Sequence, residues 1–578
     1  MLQKYFFKNL LSPELEKKYK FCFFLMLIAG VLELLSISLI IPFIDFIFNK
    51  SDDLTIILSN YINLDPGYDY RKGIIIIFFF VFFFKILFLV YYNYYQANYA
   101  VKIENYLSEE ILQKYIYSEA DIVKNKNTSE IINSIMGLTS DVTRRFFIAS
   151  LSLTVEVISV IFIGSYLIYT FPIQALFFLS LISILVFIYY YTIRKKLYLL
   201  ADSMRERTEM KIKFIQEGLS SINELKIFNA QKIVIDIFKK QTQKMYDYIR
   251  VLTVYKFIPR YIIELLVISS VSIGIYFSID QNINIKGQIP TLALAVYIIF
   301  RLFPSFNKIL SSLTFIKLSK PALKKVQSDL IDVKKVINNH NKLYFRKKKK
   351  LIFNKNLSLK NISFKYPKTE HEVLQNVNFS INKGDKVMMF GKSGCGKSTF
   401  IEIFCGFKNL KKGKFYLDNH SLNFEKRLGD WFKILSYVPQ NIFLFDDTLL
   451  NNIIFSASNK DEKIDMIYLK KILSVCDLDE FNNESALNKK IGERGSRLSG
   501  GQIKRVGIAR AIYKNPQILI LDEATANLDK KSEHKIIRNL INFYPNLTML
   551  FTTHNTYLKT LFDKNYEFEN KSIKLIKQ

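Results

Sequence analysis

The run VMMFGKSGCGKSTF (387–400) is a short apolar strand, a glycine-rich turn and the start of a helix. It holds the spacing G-x-x-x-x-G-K-S from Gly391 to Ser398, the P-loop pattern in the strand–turn–helix setting that gives it meaning. Glycines let successive backbone N–H groups curl around phosphate oxygens, and the helix start adds its dipole. Gly391, Lys392, Ser393, Gly394, Cys395, Gly396, Lys397, Ser398 and Thr399 are therefore read as a nucleotide cradle. Lys397 would meet the β- and γ-phosphates, and the Ser398 hydroxyl would ligate Mg²⁺. Cys395 fills a variable position and carries no redox role. A second apolar run, ILILDEAT (518–525), delivers two acids at a strand end. Asp522 is placed to give Mg²⁺ a further protein contact, and Glu523 to polarise a water aimed at the γ-phosphate.

Further along, RLSGGQIKR contains Leu498, Ser499, Gly500, Gly501 and Gln502. This signature resembles that of the ABC ATPases, and the rest of that family's set follows in order. Tyr366 in SFKYP is similar to the aromatic that stacks on adenine. Gln440 in YVPQ resembles the glutamine that contacts Mg²⁺ and water. Asp529 in ANLD resembles the D-loop acid, and His554 in TTHNT the switch histidine that senses the γ-phosphate. GERG at 492–495 resembles a coupling segment of the exporter branch. Ala526, Asn527 and Asn555 depart from the family's usual residues, which touches fine tuning rather than hydrolysis. The resemblance implies ATP and Mg²⁺ as cofactors and hydrolysis coupled to transport. It also implies a site shared between two copies, Lys397 of one and Ser499 of the other on a single ATP. A homodimer is the expected partner arrangement.

Two kinds of element must position these groups. After Lys350 the chain turns to short β runs and glycine turns, marking an α/β P-loop nucleotide-binding domain over 351–578, joined by a basic linker at 321–350 to what precedes it. Residues 1–320 hold six apolar stretches, near 21–48, 73–95, 146–170, 173–193, 257–279 and 289–311, each of the length a bilayer needs. A short amphipathic helix is expected within 49–72. The polar stretches 96–145 and 194–256 keep helical periodicity and read as long cytoplasmic extensions. The expected fold class is thus multidomain: an all-α six-helix transmembrane domain with such extensions, the type I ABC exporter fold by resemblance, plus the α/β domain. Lys and Arg number 25 in segments 1–20, 96–145 and 194–256 but 4 in the alternate loops, which puts both termini in the cytoplasm. No cleavable leader is expected, since the first apolar run is too long for one. Much of the net charge of +30 sits beside that membrane face, so no nucleic-acid partner is needed to explain it. Four cysteines without paired spacing suit a reducing compartment.

Charges inside apolar stretches are costly, about 2.5–3.5 kcal/mol or more at a bilayer centre. Lys85, Arg260 and Arg301 are such cations, and Glu33, Glu156 and Glu264 such acids. The acids suit packing against partner helices, with Arg260–Glu264 a pair along one helix and Lys85 snorkelling. Three cations on three stretches also suit a basic cavity for a diphosphate. The stretches 32–47, 258–265, 295–312 and 439–455 resemble the PglK-type flippases of lipid-linked oligosaccharides. That resemblance implies a polyprenyl-diphosphate glycolipid turned from the cytoplasmic to the periplasmic leaflet of a bacterial inner membrane, with coupling positions near 117–128 and 217–231. Shielding only the headgroup fits the physics, because removing a polyprenyl chain from lipid costs about 0.8 kcal/mol per CH₂. An exporter of another cargo (lipid A or phospholipid, peptide, drug) and a membrane signalling ATPase that moves nothing stay open as alternatives.

Overall fold

The computed structural model describes residues 12–38, 70–118, 122–123, 126–170, 172–280, 289–331, 336, 351–366, 369, 371–392, 394–408, 410, 412–456, 464–526, 528–569 and 571–576. The short helix expected within 49–72 falls outside them, apart from the start of the helix at Tyr70. The chain divides into two compact units, Met1–Ile337 and Asn338–Gln578.

The first unit is helical. Its long elements are α1 (Pro13–Ser38), α2 (Tyr70–Tyr117), α3 (Ala149–Thr170), α4 (Pro172–Ser220), α5 (Gln231–Asp280) and α6 (Ile289–Leu318), followed by α7 (Lys320–Ile331). α2, α4 and α5 run 48, 49 and 50 residues, or about 70–75 Å each at 1.5 Å per residue. That is more than twice a ~30 Å hydrocarbon core, so each continues well beyond a membrane. Among the described residues, Ile75–Tyr117 and Thr128–Ser165 are long and apolar enough to cross a bilayer. The α2 side chains Phe79, Phe80, Phe83, Phe84 and Val90 face outward, as lipid-facing positions do. Lower on the same helix, Tyr99, Ile103, Leu107 and Ile111 recur at four-residue spacing and bury against Leu138, Val142, Phe146, Leu323 and Val326.

The extension expected over 96–145 is not one helix. α2 ends at Tyr117, and helix resumes at Thr128–Ile132, after which two π-helical stretches, Asn133–Leu138 and Val142–Ile148, lead into α3. The local chemistry explains the widened turns. Thr139 Oγ1 donates to the Ile135 carbonyl at 2.5 Å and Thr143 Oγ1 to the Thr139 carbonyl at 2.9 Å, so side chains compete for helix acceptors. The stretch 194–256 likewise breaks: α4 ends at Ser220, Ile222–Ile227 forms a short helix, and Asn229 at φ 51° turns the chain into α5. The expected coupling position near 217–231 is this break between α4 and α5, while residues 119–121 and 124–125 of the one near 117–128 lie outside the described residues.

The second unit is α/β. An antiparallel sheet runs in the order β2 (Leu374–Asn382), β1 (Asn356–Phe364), β4 (Lys412–Leu417), β5 (His420–Ser421). A larger sheet runs β10 (Ser572–Ile576), β9 (Lys564–Glu569), β3 (Lys386–Gly391), β8 (Thr548–Thr553), β7 (Ile518–Asp522), β6 (Leu435–Val438). From β9 to β6 all neighbours are parallel. Such strands are covered on both faces, and their residues divide accordingly. Met388, Phe390, Leu519 and Leu521 enter one core, with Val506, Ile536 and Leu540. Val387, Met389, Ile518 and Ile520 enter the other, with Phe400, Phe404 and Trp431. Parallel strands carry ligand-binding loops at their carboxyl ends, and here β3, β8, β7 and β6 lie side by side. Their exits are the P-loop, His554, Asp522–Glu523 and Gln440 in that spatial order.

Candidate functional site

The P-loop leaves β3 and closes on the helix α8 (Lys397–Phe404). Gly394 at φ 78° and Gly396 at φ 109° hold backbone that a side chain would strain. A Cβ on Gly391 would meet the Phe568 carbonyl at 2.8 Å. The loop therefore follows a path on which these three glycines have no ready substitute. Lys397 is buried, and its Nζ donates to the Gly391 carbonyl at 2.7 Å and the Lys392 carbonyl at 3.1 Å. Its charge is held by its own loop, with Cys395 Sγ 3.8 Å away. Ser398 is exposed on the first turn of α8, while Ser393 lies outside the described residues. Tyr366 stands beside this turn. Its hydroxyl is 3.1 Å from Thr399 Oγ1, and Lys408 Nζ lies 5.3 Å from its ring centre.

At the end of β7, Asp522 accepts from Thr552 Oγ1 at 2.7 Å and from the Tyr437 hydroxyl at 3.2 Å. Burial pushes its carboxyl up from the ordinary range against those two hydrogen bonds, and Glu523 adds to the rise. Glu523 itself sits at φ 48°, a left-handed backbone that a non-glycine residue adopts at a cost. Its N–H donates to Thr552, which fixes the turn. Both carboxylate oxygens are engaged: Gln440 Nε2 donates to Oε2 at 2.6 Å, and His554 Nε2 is 2.6 Å from Oε1. His554 Nδ1 lies 3.2 Å from the Gly391 carbonyl, which ties the β8 exit to the P-loop. Both ring nitrogens thus face acceptors. Lys504 Nζ donates to the Gln440 carbonyl.

The signature and the D-loop acid serve other elements of this chain. Ser499 caps α9 (Gly500–Tyr513): its Oγ accepts from the Gln502 N–H at 3.2 Å, and the Gln502 side chain accepts from the Ser499 N–H at 2.7 Å. This reciprocal box leaves the helix start at Ser499 and Gly500 exposed, with nothing within 4 Å of a Cβ placed on Gly500. Leu498 packs against the core beside it. Asp529 caps α10 (Lys530–Phe543) by accepting from the Ser532 N–H at 2.8 Å. The structure thus brings Gln440, Asp522, Glu523 and His554 together with the P-loop, and it seats Ser499, Gln502 and Asp529 on their own helices. Thr552, Tyr437 and Lys504 are positioning partners that sequence reasoning did not reach. All three sit inside runs quoted above, Tyr437 in YVPQ, Lys504 in RLSGGQIKR and Thr552 in TTHNT, but at positions to which those motifs assign no role, and the ordered sheet is what sets Tyr437 and Thr552 beside Asp522.

In the helical unit, a cavity of about 680 Å³ opens between α1, α2, α3, α6 and the second π-helical stretch. Lys85 lines it, buried, with Nζ donating to Ser36 Oγ at 2.6 Å and lying 5.3 Å from the Phe82 ring centre. It does not snorkel to an exposed position. Two more cations join it there: Lys308, 2.8 Å from Glu156 Oε1, and Arg144, 3.7 Å from Glu104. Glu33 accepts from Ser159 Oγ at 2.5 Å and is buried, so both buried acids do face partner helices. Glu264 is exposed. Arg260 and Arg301 fall on α5 and α6, and their side chains lie outside the described residues. Lys308 had a readable signal: it follows Arg301 by seven residues, two turns along one helix face.

Known proteins share this arrangement. The family model described as "ABC transporter" matches residues 374–526, and that described as "ABC transporter transmembrane region" matches residues 20–302. A putative export ATP-binding/permease protein of Rickettsia bellii is 27% identical over 525 residues, covering 89% of this chain and 86% of that protein. An ATP-dependent lipid A-core flippase of Vibrio parahaemolyticus is 39% identical over 202 residues, 34% of each chain. A protein of the same description from Wigglesworthia glossinidia brevipalpis is 30% identical over 346 residues, 59% of this chain and 57% of that one. The solved structure of a bacterial Atm1-family ABC exporter with ATP bound superposes with a TM-score of 0.71 at 18% identity, over 95% of this chain and 94% of the other. That likeness shows the fold, a helical transmembrane domain followed by an α/β nucleotide-binding domain. With a membrane region and an ABC ATPase domain in one polypeptide, the chain belongs to the ABC transporters as an exporter half-transporter, an ATPase coupled to transport.

Proposed function

We propose that two copies of this chain form an ATP-driven flippase in a bacterial inner membrane, with both termini cytoplasmic. Its cargo is a lipid with a phosphorylated glycan headgroup, in finer form a polyprenyl-diphosphate oligosaccharide, moved from the cytoplasmic to the periplasmic leaflet. The observation that carries this reading is the cavity in the membrane unit, where Lys85, Lys308 and Arg144 meet. A diphosphate needs several positive groups to leave water, and a signalling ATPase needs no such chamber. Arg260 and Arg301 are proposed to extend it. The relatives described as lipid A-core flippases favour a second reading, a lipid A-type cargo, whose headgroup would make the same demands.

At the nucleotide site, Mg²⁺–ATP fits the residues. Exposed Ser398 and the buried carboxylate of Asp522 offer hard oxygen ligands, Gln440 a third, and the glycine-rich loop would take the phosphates. Lys397 would exchange its loop carbonyls for β- and γ-phosphate oxygens, and Tyr366 would carry the adenine. Glu523 would take the proton of the attacking water, with His554 moving to the γ-phosphate. Ser499, the open helix start behind it and Asp529 would complete the site of the opposite copy.

The test is ATP turnover and headgroup translocation in vesicles containing a polyprenyl-diphosphate oligosaccharide. Glu523→Gln serves as the dead control beside Lys85→Ala, Lys308→Ala, Arg260→Ala and Arg301→Ala. Translocation that needs ATP and falls in the cation variants supports the reading. Turnover without movement of that lipid refutes the oligosaccharide cargo, and movement of a lipid A in its place selects the second reading.

A further inference from the structure

The same cavity has a second wall that phosphate chemistry does not use. Tyr92 and Gln96 stand four residues apart on one face of α2, and Glu156 faces them from α3. All three are more than nine-tenths buried, at 5%, 7% and 4% exposure. The Tyr92 hydroxyl, Gln96 Nε2 and Glu156 Oε2 have no hydrogen-bond partner among the described residues. The Glu156 carboxylate lies within electrostatic reach of Tyr92, and Lys308 engages only its other oxygen. Buried polar atoms are nearly always paired, so three orphans on residues that line one cavity, each with less than 1 Å² of its own surface open, mark a wall whose polar groups a ligand would pair once it presses between α2 and α3.

The types of atom say which groups. A hydroxyl that both donates and accepts, an amide donor and a carboxylate acceptor match neighbouring hydroxyls of a sugar. A phosphate, which only accepts, is repelled by Glu156, and an alkyl chain satisfies none of the three. We propose that Tyr92, Gln96 and Glu156 form a hydroxyl-reading wall that selects the sugar of the cargo, while Lys85, Lys308 and Arg144 hold its phosphates. This rests on the glycolipid reading above and adds to it a determinant of specificity. A cargo without sugar would leave the wall unpaired, and sites built to hydrogen-bond a hydroxyl reject analogues that lack it.

The full chain is reconstituted in vesicles containing either polyprenyl diphosphate bearing an oligosaccharide or the same lipid without sugar. Half-saturating lipid concentrations for ATPase stimulation and for translocation are then measured. Tyr92→Phe removes one oxygen at unchanged shape, and Gln96→Met removes the amide donor at similar size without adding charge. Each is expected to raise the half-saturating concentration of the glycosylated lipid about 5- to 10-fold, the worth of one hydrogen bond. The sugar-free lipid should not respond, whereas Lys85→Ala should weaken both lipids alike. Equal effects of Tyr92→Phe and Gln96→Met on both lipids, or none on either, would overturn the proposal and leave the wall merely hydrated. A wild-type protein indifferent to both lipids would instead defeat the flippase reading on which the proposal stands.

Discussion

Replacing Lys308 by methionine tests whether the charges of the membrane cavity are structurally coupled. Glu156 is buried, with Lys308 on one oxygen at 2.8 Å and no partner on the other among the described residues. The Lys308 side chain is 61% exposed. Breaking a fully buried ion pair costs about 3–5 kcal/mol, and an exposed pair contributes about 0–1 kcal/mol. With one partner of each kind, Lys308→Met should cost about 2 kcal/mol, mostly as the stranded carboxylate. At about 2–4 °C per kcal/mol for units of this size, the midpoint of the helical unit should fall by about 4–8 °C. Cys22 is buried in that unit, so heat-dependent labelling of its peptide by a thiol reagent, read by mass spectrometry, reports the unit's own unfolding. Adding Glu156→Gln removes the stranded charge, and the double variant should recover most of the loss. A Lys308→Met midpoint equal to wild type, or a double variant no better than the single, would refute the argument.

Glu523→Gln should lower ATP turnover by at least about 100-fold while nucleotide binding persists, as measured by phosphate release and by nucleotide titration. Chelating Mg²⁺ should abolish turnover in the wild type and restore it on re-addition, with unchanged circular dichroism. Burial raises the Asp522 carboxyl, so its contribution to stability is fully present below the unfolded carboxylate range and is lost as pH rises through the raised folded value. Asp522→Asn should therefore flatten the pH dependence of the metal-free ATPase unit's melting while eliminating Mg²⁺-dependent hydrolysis. Trp431 is fully buried among Phe404, Phe415 and Phe424, with ring centres 5.9, 5.4 and 6.0 Å away. Trp431→Ala should cost about 3–5 kcal/mol in denaturant unfolding, and Trp431→Phe clearly less, because the indole N–H has no partner among the described residues.

The α/β unit was the more legible half. Its chemistry follows fixed spacings, and a P-loop between a short apolar run and a helix start leaves little choice of local structure. The helical unit was legible by length but not in detail. Continuous periodicity over 96–145 concealed the π turns, because Thr139 and Thr143 alter the hydrogen bonding without altering the apolar pattern. Lys85 was found because it interrupts an apolar run, whereas Tyr92 and Gln96 pass as ordinary interfacial residues until α3 is packed beside them. Thr552 and Tyr437 escaped for the same reason: β8 and β6 flank β7 only after the sheet is ordered. Pairings across elements are properties of packing, and one sequence read by itself does not display them.

The double engagement of Glu523 has a consequence for energy conservation. With Gln440 on one oxygen and His554 on the other, the proposed base is latched at rest. On the proposed roles, release takes two separate events: Gln440 would turn to the metal, and His554 would turn to the γ-phosphate. A nucleotide without that phosphate frees at most one side. The site then behaves as a coincidence gate, shut to a spent nucleotide and to a triphosphate that arrives without its metal.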